Sequence, residues 1–247
     1  MIALQHCTMV SAATIAFIGE RSGSGFRGAE LGVIEANYQG EFLGRSYTLT
    51  DSVQSDTAFI ATTLTGAALD ELADRYPSYA VMNIQDRADA RRDACRRNLF
   101  SVIPSDTMYR DAQRQWQRKQ PDVRAEARAW ESTMRKYSAT QLNTRYREHA
   151  GRPMDDEAWA GWAAIKVATD QLAGGAVATP DELIDALRKP ISFDGIKGVS
   201  QSFRPNGQMR QRLLLVAGNG KIVAEAPIAG VVDGNDLDTL GRAHCGK

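Results

Sequence analysis

Several polar side chains of the chain stand where predicted strands end, and these could contact a ligand. Five of them form the candidate ligand-binding set: Arg21, Ser22, Asn83, Asp86 and Ser105. An arginine can pair with an anionic group of a ligand, and a serine that begins a helix presents main-chain N–H groups to it. Ligands of open α/β sheets bind beyond the carboxyl ends of the strands. The alternative, that these residues only cap helices and form turns, stays open for each.

A glycine pattern near the first of these residues suggests a different chemistry. Gly23–Gly28 matches the G-x-G-x-x-G pattern of dinucleotide-binding folds, and Asp51 near the end of the next strand could bind a ribose. The first glycine of that pattern should follow the strand directly, but three residues separate Gly23 from Gly19, and the Glu20 carboxylate would repel a pyrophosphate. A Rossmann-like NAD(P) oxidoreductase is therefore the enzymatic alternative. The simpler interpretation is a loop that supplies main-chain donors at a helix N-terminus.

Other catalytic arrangements find little support in the sequence. The histidines are His6, His149 and His244, and none stands in a nucleophile motif typical of hydrolases. The acidic cluster Asp155–Glu157 precedes a helix, where the helix dipole stabilises carboxylates without a metal. We expect no catalytic residue, no metal and no cofactor.

The cysteines bear on metal sites and on the compartment. Cys7, Cys95 and Cys245 lack the spacing of zinc ligands. A disulfide is possible in an oxidising compartment, and Cys95 with Cys245 is then the preferred pair. Three free thiols are an equally open interpretation.

Composition limits the partners and the domain number. With 247 residues and 43% hydrophobic residues, the chain can form one large domain or two smaller lobes. Its 30 basic and 30 acidic side chains cancel, so no overall charge favours nucleic acid or an anionic membrane. No stretch approaches the roughly 20 apolar residues of a membrane helix. Met1–Ala13 lacks the positive residues of a secretory signal, so we expect a degraded signal there or further residues upstream in the native gene.

The predicted elements place the candidate residues at one edge of a sheet. Thr14–Val53 reads as a strand, a loop, a helix and a second strand, and strands continue to alternate with helices up to Lys119, which is typical of a mostly parallel α/β layer. Beyond it we predict helices and then short strands: helices over 123–137, 138–149, 155–172 and 179–189, and strands over 191–193, 198–203, 212–216 and 221–226. Trp159 and Trp162 are expected to lie in the core.

The order of several motifs resembles a known family. Phe193–Gly198, followed by Asn206-Gly207 and Gly218–Lys221, is similar to the C-terminal signature of type I periplasmic substrate-binding proteins, the receptors of ABC importers related to the branched-chain amino-acid binders. Arg27–Asn37 resembles the first helix of that family, and Ile103–Asp106 resembles a strand end that contacts ligand.

A narrower resemblance is carried by four further stretches. They are similar to a subgroup encoded beside PQQ-dependent alcohol dehydrogenases: Gln141–Arg145, Gly151–Met154, Ser202–Pro205 and Leu237–Gly241. The resemblance implies a periplasmic receptor that is not an enzyme. Its partners would be a small-molecule solute and the membrane subunits of an ABC transporter, with no nucleic acid and no stable membrane insertion.

The sequence also departs from that family. Only a few residues separate the strands that end at Val53 and begin at Ala58, so we expect an antiparallel turn or a misassigned strand. Between Trp116 and Trp130 the family has most of a second βαβ core, whereas we predict only a charged helical linker. We therefore expect a first α/β lobe over 14–117 and a second lobe over 118–247 reduced to helices and C-terminal strands. Ligand binding should then be weak, with little closure.

Overall fold

The computed structural model describes residues 11–245, and these form two sheets with seven α-helices and a short 3-10 turn. In chain order, the elements are β1 (Ser11–Ile18), α1 (Ser24–Leu43), β2 (Arg45–Thr50), β3 (Thr57–Thr62), α2 (Gly66–Arg75), β4 (Val81–Asn83), α3 (Asp89–Asp93), β5 (Leu99–Ser101), α4 (Asp106–Lys119), β6 (Glu126–Arg128), α5 (Ala139–Ala150), α6 (Asp156–Ala173), α7 (Pro180–Leu187), β7 (Leu213–Val216), β8 (Ile222–Ala226) and the 3-10 turn Leu237–Thr239. Ser11–Ala13 belong to β1, and the rest of the segment considered as an export signal lies outside the described residues.

The first sheet is parallel and has five strands in the order β2-β1-β3-β4-β5. Side chains of a strand alternate between its two faces. Ile15 and Phe17 of β1 therefore join the large core under α1 and α6, while Ala16 joins Leu69 and Leu72 of α2 on the opposite face. The mostly parallel α/β fold predicted from the sequence is confirmed.

The antiparallel turn predicted between β2 and β3 is wrong. Both strands run parallel to β1 and lie on opposite sides of it. The strands are staggered, because Ala16 of β1 pairs with Thr50, the last residue of β2, and with Ile60 in the middle of β3. Residues 51–56 therefore need only cross β1, a lateral distance of about 10 Å, without returning along a whole strand. The rule that a parallel crossover needs a dozen residues applies to strands that begin at the same level.

Helix α6 packs closely against α1, although more than a hundred residues separate them in the sequence. Glycines make this approach possible: a methyl group on Gly28 would overlap the carbonyl oxygen of Ala158, and one on Gly161 would overlap that of Gly25. A helix from the second part of the chain thus completes the layer over the first sheet. The predicted division at residue 117 stays a prediction.

The second sheet is antiparallel, with the order β6-β7-β8. The helix predicted over 123–137 is wrong, because this stretch contains β6 and then irregular backbone. Pairing with β7 overrides the local helical preference, since Ala127 lies opposite Leu215 in the core. The strands predicted over 191–193 and 198–203 form only isolated bridges, while the hairpin through Gly218–Lys221 is confirmed as the turn between β7 and β8.

A disulfide joins Cys95, just after α3, to Cys245 near the end of the chain, with 5.7 Å between the Cα atoms. The preferred cysteine pairing is confirmed. Nearby, the buried Arg204 guanidinium donates to the Asp238 carboxylate at 2.7 Å and to the carbonyl oxygens of Leu237 and Leu240, each at 2.7 Å. These contacts hold the C-terminal segment against the body of the protein.

Candidate functional site

A polar cleft with a volume of about 670 Å3 opens between the start of α4 and strand β6. One wall is formed by the segment after β4 and the start of α4, the other by β6 and the residues after it, and the floor by the start of α6. Ligand sites in proteins commonly have volumes of about 300–1,000 Å3. The position is also the expected one, because the carboxyl ends of β4 and β5 face it.

The first wall is organised by Arg87. Its Nε lies 3.0 Å from a carboxylate oxygen of Asp106, the first residue of α4, and its guanidinium lies 4.0 Å from the centre of the Tyr109 ring. Roughly half of the Arg87 side chain stays exposed. The guanidinium is therefore fixed in direction yet still reachable by a ligand anion.

Asp156, in the first turn of α6, connects the two walls. Its carboxylate accepts a hydrogen bond from the Tyr109 hydroxyl at 2.6 Å and another from the main-chain N–H of Trp130 at 2.8 Å. Burial, and then the negative charge of Asp156, raise the pKa of Tyr109 well above its usual value. The hydroxyl therefore stays a hydrogen-bond donor to Asp156, and the cleft is held at a fixed width.

The second wall carries an ion-paired arginine. Arg128 of β6 donates to the Glu126 carboxylate at 3.0 Å and to Glu131 at 2.5 Å. Glu131 is largely buried, and its other oxygen accepts from the main-chain N–H of Thr133 at 3.3 Å. This wall offers a guanidinium whose charge is already balanced.

Glu157 is the carboxylate of the cleft that has no hydrogen-bond or ion-pair partner among residues 11–245. It lies at the start of α6, where Asp155 instead caps the helix by accepting from the N–H of Ala158 at 2.8 Å. Burial raises the pKa of Glu157, and the charges of Asp155, Asp156 and Glu20 raise it further, while Arg87 opposes them. A cationic or hydroxyl group of a ligand would relieve this repulsion.

Behind the cleft floor lies a buried lysine. The Lys197 ammonium donates to Oε1 of Gln211 at 2.6 Å and lies 3.6 Å from the centre of the Trp159 ring. Burial lowers the pKa of Lys197 well below its ordinary value, and the carboxylate of Asp156 partly opposes this. The Trp159 ring also stacks on that of Trp130, so the predicted core position of Trp159 is confirmed.

None of the five residues predicted from the sequence lines this cleft. Arg21 and Ser22 lie in the exposed loop after β1. The Arg21 guanidinium covers the Phe26 ring at 4.7 Å, and the Ser22 hydroxyl donates to Glu20 at 2.7 Å. Contact of these two residues with a ligand stays a prediction.

The other three residues are buried and hydrogen-bonded within the protein. Asn83 is 0% exposed, and its amide bridges the main chain of Asp86 and the Ser101 hydroxyl. The Asp86 carboxylate accepts from the N–H of Gly66 at 2.7 Å, at the start of α2. Ser105 is the N-cap of α4, as its sequence position predicted. These contacts give the three residues a structural role, and their part in ligand binding stays untested.

Two of the cleft residues that the sequence prediction missed are direct chain neighbours of those it chose, whereas Arg128 and Glu157 lie far from them in the sequence. Arg87 follows Asp86, and Asp106 follows Ser105. The polar residues that follow the predicted strands thus indicated the correct edge of the sheet. The exact residues were missed because the first polar group after each strand turns inward to cap a helix, and the next one faces the cleft.

The glycine pattern that suggested a dinucleotide has a packing explanation. Gly25 and Gly28 lie in the first turns of α1, where α6 approaches so closely that a side chain on Gly28 would collide with it. The start of α1 is buried, including Ser24 and Phe26. A pyrophosphate would need this helix N-terminus to be open.

The described histidines do not line the cleft. His149 lies 3.4 Å from Glu30 on the surface, and His244 is exposed near the disulfide, while His6 lies outside the described residues. Residues 11–245 contain no cluster of three or more histidine, cysteine or carboxylate side chains placed to hold a metal ion. Within the same range, no helix is both long and apolar enough to span a membrane.

Comparison with solved structures relates this fold to a known group. An ABC transporter substrate-binding protein from Desulfitobacterium hafniense has 12% identity and a TM-score of 0.69, over 85% of this chain and 98% of that one. The branched-chain amino acid transporter substrate-binding protein LivJ from Streptococcus pneumoniae, in complex with isoleucine, has 12% identity and a TM-score of 0.69, over 87% and 98%. A solute-binding protein of an ABC transporter from Rhodopseudomonas palustris, in complex with 3,4-dihydroxybenzoic acid, has 8% identity and a TM-score of 0.68, over 87% and 97%.

At such identities the likeness establishes the fold, which is that of type I periplasmic binding proteins. No family model and no curated protein matches the sequence.

Proposed function

We propose that this protein is the solute-binding receptor of an ABC transporter and that it holds a small polar molecule in the cleft between the start of α4 and strand β6. The observation that carries the proposal is the cleft itself, a polar cavity of about 670 Å3 at the carboxyl ends of β4 and β5. Its side chains are arranged to bind, because they combine an oriented guanidinium with a carboxylate that has no partner among the described residues. The similar structures are transporter substrate-binding proteins, so we propose a receptor and not an enzyme.

The charges of the cleft suggest the class of ligand. Arg87 can pair with a carboxylate, and Glu157 can accept from an ammonium or hydroxyl group. The ligands in the similar structures named above, isoleucine and 3,4-dihydroxybenzoic acid, each carry a carboxylate together with an ammonium or hydroxyl groups. We therefore propose a small carboxylate that also bears an amine or hydroxyl group.

The proposed compartment is the periplasm, and the proposed protein partners are the membrane subunits of the transporter. The disulfide between Cys95 and Cys245 supports an oxidising compartment, since such bonds rarely persist in the cytosol. Fractionation of the native host decides the point, and a purely cytosolic pool would contradict the transport function.

The proposed link to PQQ-dependent alcohol oxidation rests on the resemblance of four sequence stretches. Two of them meet in space, because Arg204 of one donates to Asp238 of the other at 2.7 Å. A third contributes Pro153 and Met154 to the rim of the cleft. Growth of a deletion strain on alcohols would test the link, and unchanged growth on each of them would contradict it.

A thermal-shift screen tests the receptor function directly. Small carboxylates with amine or hydroxyl groups should raise the melting temperature, whereas nicotinamide dinucleotides should not. The variants Arg87→Gln and Glu157→Gln should each abolish the shift, while Glu71→Gln, at an exposed position of α2, should preserve it. Stabilisation by a dinucleotide would favour an oxidoreductase, and the absence of any stabilising solute would favour a scaffold that does not bind ligand.

A further inference from the structure

A second groove lies on the antiparallel sheet, separate from the cleft. It runs between β8 and the segment 133–136 and has a volume of about 600 Å3. Its lining is mostly apolar and includes the side chains of Leu214, Met134 and Ile222. None of the residues that line it lines the cleft.

Polar contacts close the groove at both ends. At one end the Thr133 hydroxyl donates to the carbonyl oxygen of Gly220 at 3.1 Å. At the other end Lys136 donates to the Glu225 carboxylate at 2.8 Å, and Arg212 lies 3.4 Å from the same carboxylate. The length from Gly220 to Glu225 is about 17 Å for an extended strand. These contacts mark the two ends of the groove, which is called the trough below.

The charge around this trough is positive. Among residues 11–245, Glu225 is the one carboxylate that lines it, and Lys136 and Arg212 already neutralise this group. Arg135 and Lys221 are exposed at the rim and form no ion pair with any residue between 11 and 245. A mostly apolar lining next to unpaired cations fits a ligand that has an apolar body and an anionic head.

The shape of β8 argues for a small molecule and against an added strand. β8 has five residues, and its register with β7 shifts at Val223, which interrupts the regular ladder. Short and bulged edge strands oppose pairing with further strands. A peptide strand or a second copy of the chain therefore fits this edge poorly.

We propose that the groove on β8 binds a small amphiphilic carboxylate, with its apolar chain over Leu214 and its head group between Arg135 and Lys221. The inference does not depend on the function proposed for the cleft. It assigns a second ligand site of different chemistry to the same chain.

The test uses the intact protein and the fluorescent sulfonate 1-anilinonaphthalene-8-sulfonate as the probe. The probe should bind, and octanoate should displace it at a concentration at least tenfold lower than octan-1-ol, the neutral analogue of equal chain length. If both compounds displaced the probe at the same concentration, the proposal would be overturned, and this test needs no variant.

Charge variants then locate the site. Each of Arg135→Gln and Lys221→Gln should weaken octanoate binding about threefold, as expected for an exposed charge pair, and the double variant should weaken it about tenfold. Lys189→Gln, at another exposed lysine, should have no effect. Unchanged octanoate affinity in the double variant would contradict the proposal.

Two further variants identify competing sites. Phe42→Ser removes a ring that is 91% exposed on α1, and Arg87→Gln alters the cleft. Octanoate binding should survive both changes. Loss of binding in either would place the ligand elsewhere, and dimer formation on adding octanoate would favour a second copy as the occupant.

Discussion

Replacing Lys197 with methionine should remove a pH dependence from the stability of the protein. The lysine is 2% exposed, and its ammonium is surrounded by the Trp159 ring, the Gln211 side chain and the carbonyl oxygen of Arg212, 3.2 Å away. Asp156 is the acidic group that opposes the effect of burial on the pKa of Lys197. The folded protein thus binds this proton much more weakly than the unfolded chain does.

The sign follows from linkage. In the pH range between the lowered pKa of Lys197 in the folded protein and the ordinary value of about 10.4, only the unfolded chain holds the proton. The free energy of unfolding must then rise with pH, by up to about 1.4 kcal/mol per pH unit for one proton. Methionine carries no proton, so the Lys197→Met protein should lack this slope. Its stability at neutral pH reflects two opposing effects, relief of the buried charge and loss of the donor to Gln211, which costs about 1–3 kcal/mol.

Urea unfolding between pH 7 and pH 10 measures the slope. Subtracting the free energy of unfolding of the variant from that of the parent protein cancels the contributions of the other titrating groups. Tyr109 is one of these groups, and because its pKa is raised, it lowers stability only at higher pH. Lys189→Met, at an exposed lysine, is the matched control and should retain the parent slope. The same slope in Lys197→Met and in the parent would refute the reasoning.

Four further outcomes are expected. Replacing both Cys95 and Cys245 with serine should lower the free energy of unfolding by about 5 kcal/mol in urea titrations, because the closed loop spans 150 residues; equal stability with and without reductant would contradict this. Gly28→Ala should cost about 3 kcal/mol in thermal unfolding, since the methyl group collides with α6, whereas Gly218→Ala, which has open space around it, should cost little. Glu157→Gln should raise the melting temperature at pH 7 but not at pH 3.5, because the raised pKa of Glu157 means that stability falls as the carboxylate ionises. Solutes of the cleft should bind in the micromolar to millimolar range by isothermal titration, with little compaction in small-angle scattering, because Asp156 already joins the two walls; nanomolar affinity with clear compaction would contradict it.

The first sheet could be predicted because its elements carry their own signals. The strand before Gly19 alternates between two apolar faces, α2 has the predicted bounds Gly66–Arg75, and Ser105 caps α4 as its type and position indicate. Each of these depends on residues close together in the sequence. Local propensity and periodicity therefore sufficed.

The errors arose where distant residues decide the structure. Three residues of β6 form a strand only because β7, more than eighty residues later, pairs with them. The short crossover after Thr50 depends on the stagger of two strands against β1, which no local pattern encodes. The cleft was located at the correct sheet edge, but Arg87 and Asp106 were each missed by one position because Asp86 and Ser105 satisfy main-chain N–H groups first. The cleft residues of β6 and α6 come from distant parts of the chain and carried no such signal.

The packing of α6 on α1 has a consequence for how the chain is made. Synthesis proceeds at about 5–20 residues per second, so Leu43 at the end of α1 precedes Ala173 at the end of α6 by roughly ten seconds. During this time the glycine-lined surface of α1 lacks the helix that packs on it. We therefore expect the first five strands to reach their final packing only after Ala173 has been synthesised, so the nascent chain stays accessible to chaperones for that interval.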